Sequence, residues 1–178
     1  NSYYFHKDDN VITNKEEVCG DFEKLINLQL KEKHPKSWMR AFFNMGLINY
    51  IEGSRRMLPC QAGEMNFFVE PYGDIYPCNG LEKKYWKKSI GNIRETPNFK
   101  EIWEGKQAEQ VRQMVRRCPK NCWMVGTASP VMHKYIKYPL KWALKNKLRS
   151  LQGKTACLDK CWYNVGQDPS QGDLRDVF

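Results

Sequence analysis

Four cysteines, spaced in two pairs, constrain the fold of this chain more than any other feature of its sequence. Cys60 and Cys78 are separated by 17 residues, and Cys118 and Cys122 follow as a Cys-x3-Cys pair after 39 more. Thiolates are soft ligands, so four of them brought together suit either zinc or an iron–sulfur cluster. The usual zinc ribbon uses two Cys-x2-Cys pairs, whereas the first pair here is separated by a much longer segment.

The segment between the first two cysteines predicts a β-hairpin. Two short runs of β-prone residues, 66–70 and 75–78, flank a Pro-Tyr-Gly-Asp turn in which Gly73 supplies backbone freedom. Cys60 lies just before the outgoing strand, and Cys78 lies at the end of the return strand. We therefore expect these two thiols to lie close together.

Helical periodicity dominates much of the remaining chain. The predicted segments run from a capping box at Asn14 to about Lys33, from Pro35 to Gly53, from Thr96-Pro97 to Gly105, over 108–115, and from Ser129-Pro130 onward. A short strand is predicted over residues 2–5. Cys19 falls beside the apolar stripe of the first helix, which predicts a buried, inert thiol.

Composition bounds the class of protein. A length of 178 residues predicts one compact domain or two small ones. No apolar run approaches the roughly 18 residues of a transmembrane helix, and no signal peptide is recognisable. Seven cysteines, an odd number, then favour a metal framework in a reducing cytosol over a disulfide scaffold. Because the chain begins with Asn and a strand-like run, we expect it to be part of a longer polypeptide.

The positive charge of the chain allows several interpretations. The formal charge is +9, but no nucleic-acid-binding motif accompanies it, so nucleic acid is not expected as a partner. The last helical region is basic and amphipathic. Its apolar face consists of Leu140, Leu144, Leu148 and Leu151. A helix of this kind can lie on a membrane surface, but a helix docked within its own domain is the favoured interpretation.

Several motifs, taken in order, resemble the SPASM/Twitch extensions of radical S-adenosylmethionine (SAM) enzymes. The motifs are Cys60-x12-Gly73-x4-Cys78, Ile90-Gly91-Asn92-Ile93, Ile102-Trp103 and Cys118-Pro-Lys-Asn-Cys122-Trp123. The resemblance covers roughly residues 58–126. It implies that Cys60, Cys78, Cys118 and Cys122 are the ligands of an auxiliary [4Fe–4S] cluster.

The resemblance also implies an α+β fold with four parts. Residues 1–57 would be the C-terminal portion of a partial (β/α) barrel, and 58–128 a SPASM/Twitch domain of a β-hairpin and helices around the cluster. Residues 129–152 would form a basic C-terminal helix, and 153–178 a polar tail that contains cysteines. SAM and a second [4Fe–4S] cluster are expected in the barrel that precedes this region in the same polypeptide.

Radical modification of a peptide, protein or small molecule is the function that the resemblance implies, with ferredoxin or flavodoxin as electron donor. A zinc-stapled binding module, including one for nucleic acid, is the alternative. Candidate substrate-side groups are Tyr72, Trp86, Arg94 and His133, although packing or a surface role is the favoured interpretation of each.

Departures from the family pattern limit what this chain can do alone. The SAM-cleaving Cys-x3-Cys-x2-Cys motif is absent, because Val125 and Asn164 stand where its third cysteine would be. The Cys-x2-Cys-x5 element of the full SPASM pattern is absent too, which favours one auxiliary cluster. A second cluster at Cys19, Cys157 and Cys161 would require the tail to fold back onto the first helix.

Overall fold

Six helices and three short strands are found in residues 12–78, 89–118 and 120–158, the part of the chain that the computed structural model describes. The helices are α1 (Lys15–Lys31), α2 (Pro35–Ile51), α3 (Phe99–Glu104), α4 (Lys106–Arg116), α5 (Val125–Lys134) and α6 (Lys137–Leu151). The strands are β1 (Phe68–Val69), β2 (Asp74–Tyr76) and β3 (Gly91–Asn92). Helices beside a small antiparallel sheet are consistent with the predicted α+β class. The strand predicted at residues 2–5 lies outside the described residues.

The described residues divide into two compact units. A small unit consists of residues from 60 to 118, and a helical unit combines residues 12–59 with 120–158. The segment that forms the small unit is therefore inserted, in sequence, between the two segments of the helical unit.

The helical unit is built on α1, α2 and α6, which pack against one another. The first two helices follow the predicted periodicity, and Ile26, Leu30 and Phe42 are almost completely buried. The remaining core members are Ala41, Met45, Ile48, Met57, Leu58, Trp123, Ala128, Val131, Met132, Trp142 and Ala143. Burial of each large apolar side chain of this kind stabilises the folded state by about 1.5–3 kcal/mol relative to its exposure to water. This core therefore holds the three helices together.

Helix α1 lacks the predicted capping box at its start and ends at Lys31, close to the predicted end at about Lys33. Asn14 precedes the helix, but its side chain accepts no backbone hydrogen bond and instead donates to Glu17 Oε2 at 3.1 Å. At the other end, Lys147 Nζ of α6 donates to three backbone carbonyl oxygens at 2.8–3.1 Å. These carbonyls belong to Leu30, Lys31 and Glu32. A cation at a helix C-terminus is favourable, so a side chain distant in sequence fixes where α1 ends.

The C-terminal helices correct two predictions. The helix predicted to begin at Ser129-Pro130 begins instead at Val125, since the Met124 carbonyl already accepts hydrogen bonds from residues 127 and 128. Helix α6 docks within the unit, but it does so through Trp142 and Ala143 rather than through its leucines. The leucine side chains are 45–71% exposed. A single tryptophan fills the core more effectively than the aliphatic stripe on the opposite side.

The small unit contains the predicted hairpin. Strands β1 and β2 pair antiparallel, and β3 adds to β2 as a third strand that the sequence did not predict. Gly73 adopts φ +95° in the turn, a left-handed conformation that favours glycine. Gly91 allows Ile102 to pack close to β3, because a Cβ at that position would lie 2.6 Å from Ile102 Cγ2.

Two helices complete the small unit. Helix α3 begins after Asn98 rather than Thr96, since the Asn98 side chain accepts a hydrogen bond from Lys100 N at 3.2 Å. Helix α4 follows Gly105 directly. The core of the unit consists of Ala62, Ile75, Ile90, Ile102, Ala108, Val111 and Val115.

Candidate metal centre

Cys60 and Cys78 lie against the same apolar core in the small unit, and both are half-buried. The turn after Cys60 is bonded to the chain just before Cys78: Gly63 N donates to Asn66 O at 2.8 Å, and Asn66 Nδ2 donates to Pro77 O at 3.3 Å. A Cβ at Gly63 would lie 3.1 Å from Pro77 Cβ, so the turn packs directly against the residue before Cys78. The hairpin and the turn thus place both cysteines beside one core, and close approach of the two thiols stays a prediction.

Arg112 fastens this turn to the helices. Its Nε donates to Gly63 O at 2.8 Å, and its Nη2 donates to Trp103 O at 2.6 Å. The guanidinium also lies 4.8 Å from the centroid of the Trp103 ring, a cation–π distance. One side chain therefore links the turn after Cys60 to both α3 and α4.

Cys118 follows the last turn of α4. Its backbone N–H donates to Val115 O at 3.0 Å, and Val115 is a member of the small core. Cys118 is half-buried like the first two cysteines. Three of the four predicted ligands are thus attached to elements that surround one apolar cluster.

Cys122 belongs to the helical unit, where Arg56 holds its backbone. Arg56 is 6% exposed, and its guanidinium donates to the carbonyl oxygens of Leu58, Cys122 and Thr127. A buried guanidinium requires several acceptors, and three backbone carbonyls supply them here. Arg56 therefore ties the chain just before Cys60 to the chain around Cys122.

Trp123, the residue after Cys122, is anchored in the helical core. Its side chain is 2% exposed, and Nε1 donates to Phe43 O at 2.8 Å. The indole ring lies directly on the backbone of α2 at Gly46, where a Cβ would overlap three ring atoms. The rings of Phe42 and Phe43 lie 6.4 and 6.3 Å from the Trp123 ring, centroid to centroid. Cys122 is thus held between two buried side chains, Arg56 and Trp123.

The burial of these two groups was not predicted from the sequence, although Trp123 ends one of the motifs that carry the family resemblance. Arg56 follows Arg55, which is exposed, and nothing in the sequence distinguishes the buried member of the pair. Gly46 interrupts the apolar face of α2 and could have indicated a close approach by another side chain. Its partner, Trp123, lies far away in sequence, so no local pattern names it.

The four cysteines are divided between the two compact units. Three lie in the small unit and Cys122 in the helical unit. Across residues 12–78, 89–118 and 120–158, no three His, Cys, Asp or Glu side chains form a group that could hold a metal ion. The donor chemistry fits an iron–sulfur cluster, because all four residues are half-buried cysteines and Cys60 and Cys78 lie beside apolar side chains.

Of the remaining cysteines, Cys19 and Cys157 lie in the helical unit. Cys19 packs against the helical core, but it is half-buried rather than buried as predicted. Cys157 N donates to Asn146 Oδ1 at 2.7 Å, and Ala156 N donates to Asn27 Oδ1 of α1 at 2.8 Å. The tail therefore does fold back onto the first helix as far as residue 158, the condition that a second cluster would need. Cys161 lies outside the described residues.

Three of the four candidate substrate-side groups, Tyr72, Arg94 and His133, occupy surface positions. Tyr72 is 74% exposed in the hairpin turn, where Arg94 Nη2 donates to Pro71 O at 2.9 Å. Arg94 thus braces the turn, which is a structural role. His133 is exposed near the end of α5, and Trp86 lies outside the described residues.

Comparison with known protein families explains the cysteine pattern. Residues 60–124 match the SPASM iron–sulfur cluster-binding domain. The SPASM match begins at Cys60 and contains Cys78, Cys118 and Cys122, and it indicates that this segment binds an iron–sulfur cluster. No curated protein and no solved structure matches the chain. None of the described helices is long and apolar enough to cross a membrane.

Proposed function

We propose that Cys60, Cys78, Cys118 and Cys122 bind one auxiliary [4Fe–4S] cluster in the C-terminal region of a radical SAM enzyme. The observation that carries this proposal is the SPASM match, because the matched segment contains these four cysteines. The half-buried positions of Cys60 and Cys78 beside one apolar core support it. Cys118 and Cys122 are separated by three residues, so their Cα atoms can be no more than about 14 Å apart.

A cluster held by four protein thiolates has no open iron site, so it would transfer electrons to or from a radical intermediate or stabilise the fold. The described residues supply its surroundings. Arg112 positions the turn after Cys60, while Arg56 and Trp123 fix the chain on either side of Cys122. The apolar core beside Cys60 would exclude water from the sulfur ligands.

The wider context of the proposal rests on the family resemblance. Residues 1–57 would be the end of a partial barrel whose earlier part binds SAM and the radical-generating [4Fe–4S] cluster. A ferredoxin or flavodoxin would supply electrons in the cytoplasm, and a peptide, protein or small molecule would be modified. The chain contains no Cys-x3-Cys-x2-Cys motif, so it should not cleave SAM alone.

Metal analysis of anaerobically purified protein tests the cluster. We expect about four iron and four sulfide per chain, with a brown colour and broad absorption in the blue. A colourless protein that carries stoichiometric zinc would overturn the proposal in favour of a zinc-stapled module.

Single serine variants test the ligands. Replacement of Cys60, Cys78, Cys118 or Cys122 should reduce the iron content sharply, because each variant removes one sulfur ligand. Cys19→Ser is the matched control, since Cys19 is half-buried in the same way but packs against the helical core. Equal iron in the control and the four variants would contradict the ligand assignment.

The double variant Cys157→Ser/Cys161→Ser tests for a second cluster. We expect iron to stay near four per chain, as one auxiliary cluster requires. A starting value near eight that falls to four in the variant would show that the returning tail does contribute ligands.

An assay for 5′-deoxyadenosine tests the dependence on a barrel. The reconstituted chain, supplied with SAM and a strong reductant, should form none, because the iron that would chelate SAM is absent. Formation of 5′-deoxyadenosine by this chain alone would contradict the proposal that SAM cleavage requires the barrel.

A further inference from the structure

Helix α6 carries a stripe of exposed leucines on the side away from the core. At about 100° per residue, these four side chains fall within about 80° of the helix circumference. They are Leu140, Leu144, Leu148 and Leu151, with exposed fractions of 45, 47, 62 and 71%. The opposite side of the helix is already packed on the core through Trp142 and Ala143. In the described part of the chain, the stripe therefore faces solvent.

All charged side chains of the segment that carries this stripe, apart from histidine, are Lys or Arg. Residues 120–158 contain eight Lys and Arg and no Asp or Glu. On α6 itself, Lys137 and Lys145 are exposed at helical positions close to the leucines. A partner that covers the leucines must therefore also accommodate a concentrated positive charge.

We propose that α6 lies on the surface of an anionic lipid bilayer. The leucine stripe would enter the boundary of the acyl chains, and the flanking lysines would contact anionic headgroups. A second copy of the chain suits this surface poorly, because it would bring the same cations into the interface. The stripe is purely aliphatic, whereas the anchors of protein interfaces are mostly Trp, Tyr and Arg.

The dimensions of α6 agree with binding in the plane of the interface. Its 15 residues span about 22 Å, which is shorter than the hydrocarbon core of a bilayer. The docked face also fixes the helix in its unit, so only the leucine side can enter the lipid. This inference does not depend on the cluster, and its failure would leave the proposed function unaffected.

Vesicle sedimentation of the full chain tests the leucines. We expect binding to vesicles of about three parts phosphatidylcholine to one part phosphatidylglycerol, and weak binding to phosphatidylcholine alone. Leu144→Ser/Leu148→Ser should lower the partition coefficient at least tenfold, because each leucine buries about half of its side chain. Leu25→Ser/Leu28→Ser is the matched control on α1, where the exposed fractions are 40 and 59%, and it should change binding less than twofold.

A pair of charge variants separates local charge from net charge. Lys137→Glu/Lys145→Glu should reduce binding to the anionic vesicles at least tenfold, since about 1 kcal/mol is attributed to each cation near the surface. Lys100→Glu/Lys106→Glu changes the net charge equally, on α3 and α4, and should have a much smaller effect. Lys137, Lys100 and Lys106 lie in the first turn of their helices, where an acidic residue is favourable, and Lys145 is exposed within α6, so folding should be preserved.

Several results would overturn the membrane proposal. Absence of binding to the anionic vesicles would do so directly, and so would equal losses in the test and control variants. If light scattering showed a dimer, and Leu144→Ser/Leu148→Ser converted it to a monomer, the stripe would be assigned to contact with a second copy. Circular dichroism of each variant verifies that the helical content is retained.

Discussion

Replacement of Gly46 by alanine should destabilise the helical unit even though alanine is the better helix former. A Cβ at this position would lie 2.7 Å from Trp123 Cδ1 and closer still to Nε1 and Cε2. The indole is 2% exposed and enclosed by Phe42 and Phe43, so it has little room to move. The strain must therefore be relieved by a shift of the ring or of α2.

The magnitude follows from three contributions. Overpacking of a filled core costs about 1–3 kcal/mol. Loss of the Trp123 Nε1 hydrogen bond to Phe43 O, which is 2.8 Å long, adds about 1 kcal/mol. Alanine stabilises a helix interior by up to about 1 kcal/mol relative to glycine, which offsets part of this loss. We therefore expect Gly46→Ala to lower the free energy of unfolding by about 1–3 kcal/mol.

Urea unfolding followed by circular dichroism measures this change. Gly20→Ala is the matched control, because Gly20 lies within α1 and, beyond its own helix backbone, no atom of the described residues lies within 4 Å of the added Cβ. The control should be stabilised by about 0.5–1 kcal/mol. If Gly46→Ala were as stable as the control, with unchanged tryptophan fluorescence, the close approach of Trp123 to α2 would be refuted.

Three further substitutions are predicted to weaken the fold. Arg56→Lys should lower the free energy of unfolding by about 1–3 kcal/mol, because an ammonium group cannot reach all three carbonyls, whereas Arg55→Lys should be close to neutral. Gly73→Ala should lower the free energy of unfolding by about 1–2 kcal/mol and reduce iron retention, because φ is +95° at this position. Gly126→Ala is the control, because a Cβ at Gly126 would lie in open space among the described residues. Lys147→Met should cost about 1–3 kcal/mol by removing the lysine donor from the carbonyls of Leu30 and Lys31, while Trp38 Nε1 still donates to Glu32 O. Urea unfolding checks all three, and iron analysis checks the second.

The outcomes that contradict these predictions are specific. An Arg56→Lys variant as stable as Arg55→Lys would show that the guanidinium contacts contribute little. Equal stability and iron content in Gly73→Ala and Gly126→Ala would mean that the turn tolerates a side chain. A neutral Lys147→Met would indicate that water replaces the lysine at the end of α1.

The sequence predicted elements that depend on local physics. The apolar spacing of α1 and α2 and the glycine turn at Gly73 were sufficient to place two helices and the hairpin. Strand β3 was missed because two residues carry no recognisable periodicity, and α3 begins after Asn98 because two capping residues compete nearby. In each case the residue pattern was compatible with more than one local structure.

Tertiary packing decided what the sequence could not. Helix α6 has two faces that could bury apolar area. The face with Trp142 lies in the core, and the face with the leucine stripe does not. The cysteine spacing alone left zinc and an iron–sulfur cluster open, whereas the family resemblance predicted an iron–sulfur segment, and the match of residues 60–124 to the SPASM domain agrees with that prediction. The spacing could not predict Arg56 or Trp123, because both act through contacts with residues that are far away in sequence.

The inserted position of the small unit has a consequence for synthesis on the ribosome. The helical unit needs Lys147, Ala156 and their neighbours to meet α1, at sequence separations of 115–129 residues. At about 5–20 residues per second, the 60–118 segment delays this meeting by roughly 3–12 seconds. During that interval α1 and α2 expose Ile26, Leu30 and Phe42 to solvent. The nascent helical pair is therefore most open to aggregation before residue 158 has emerged.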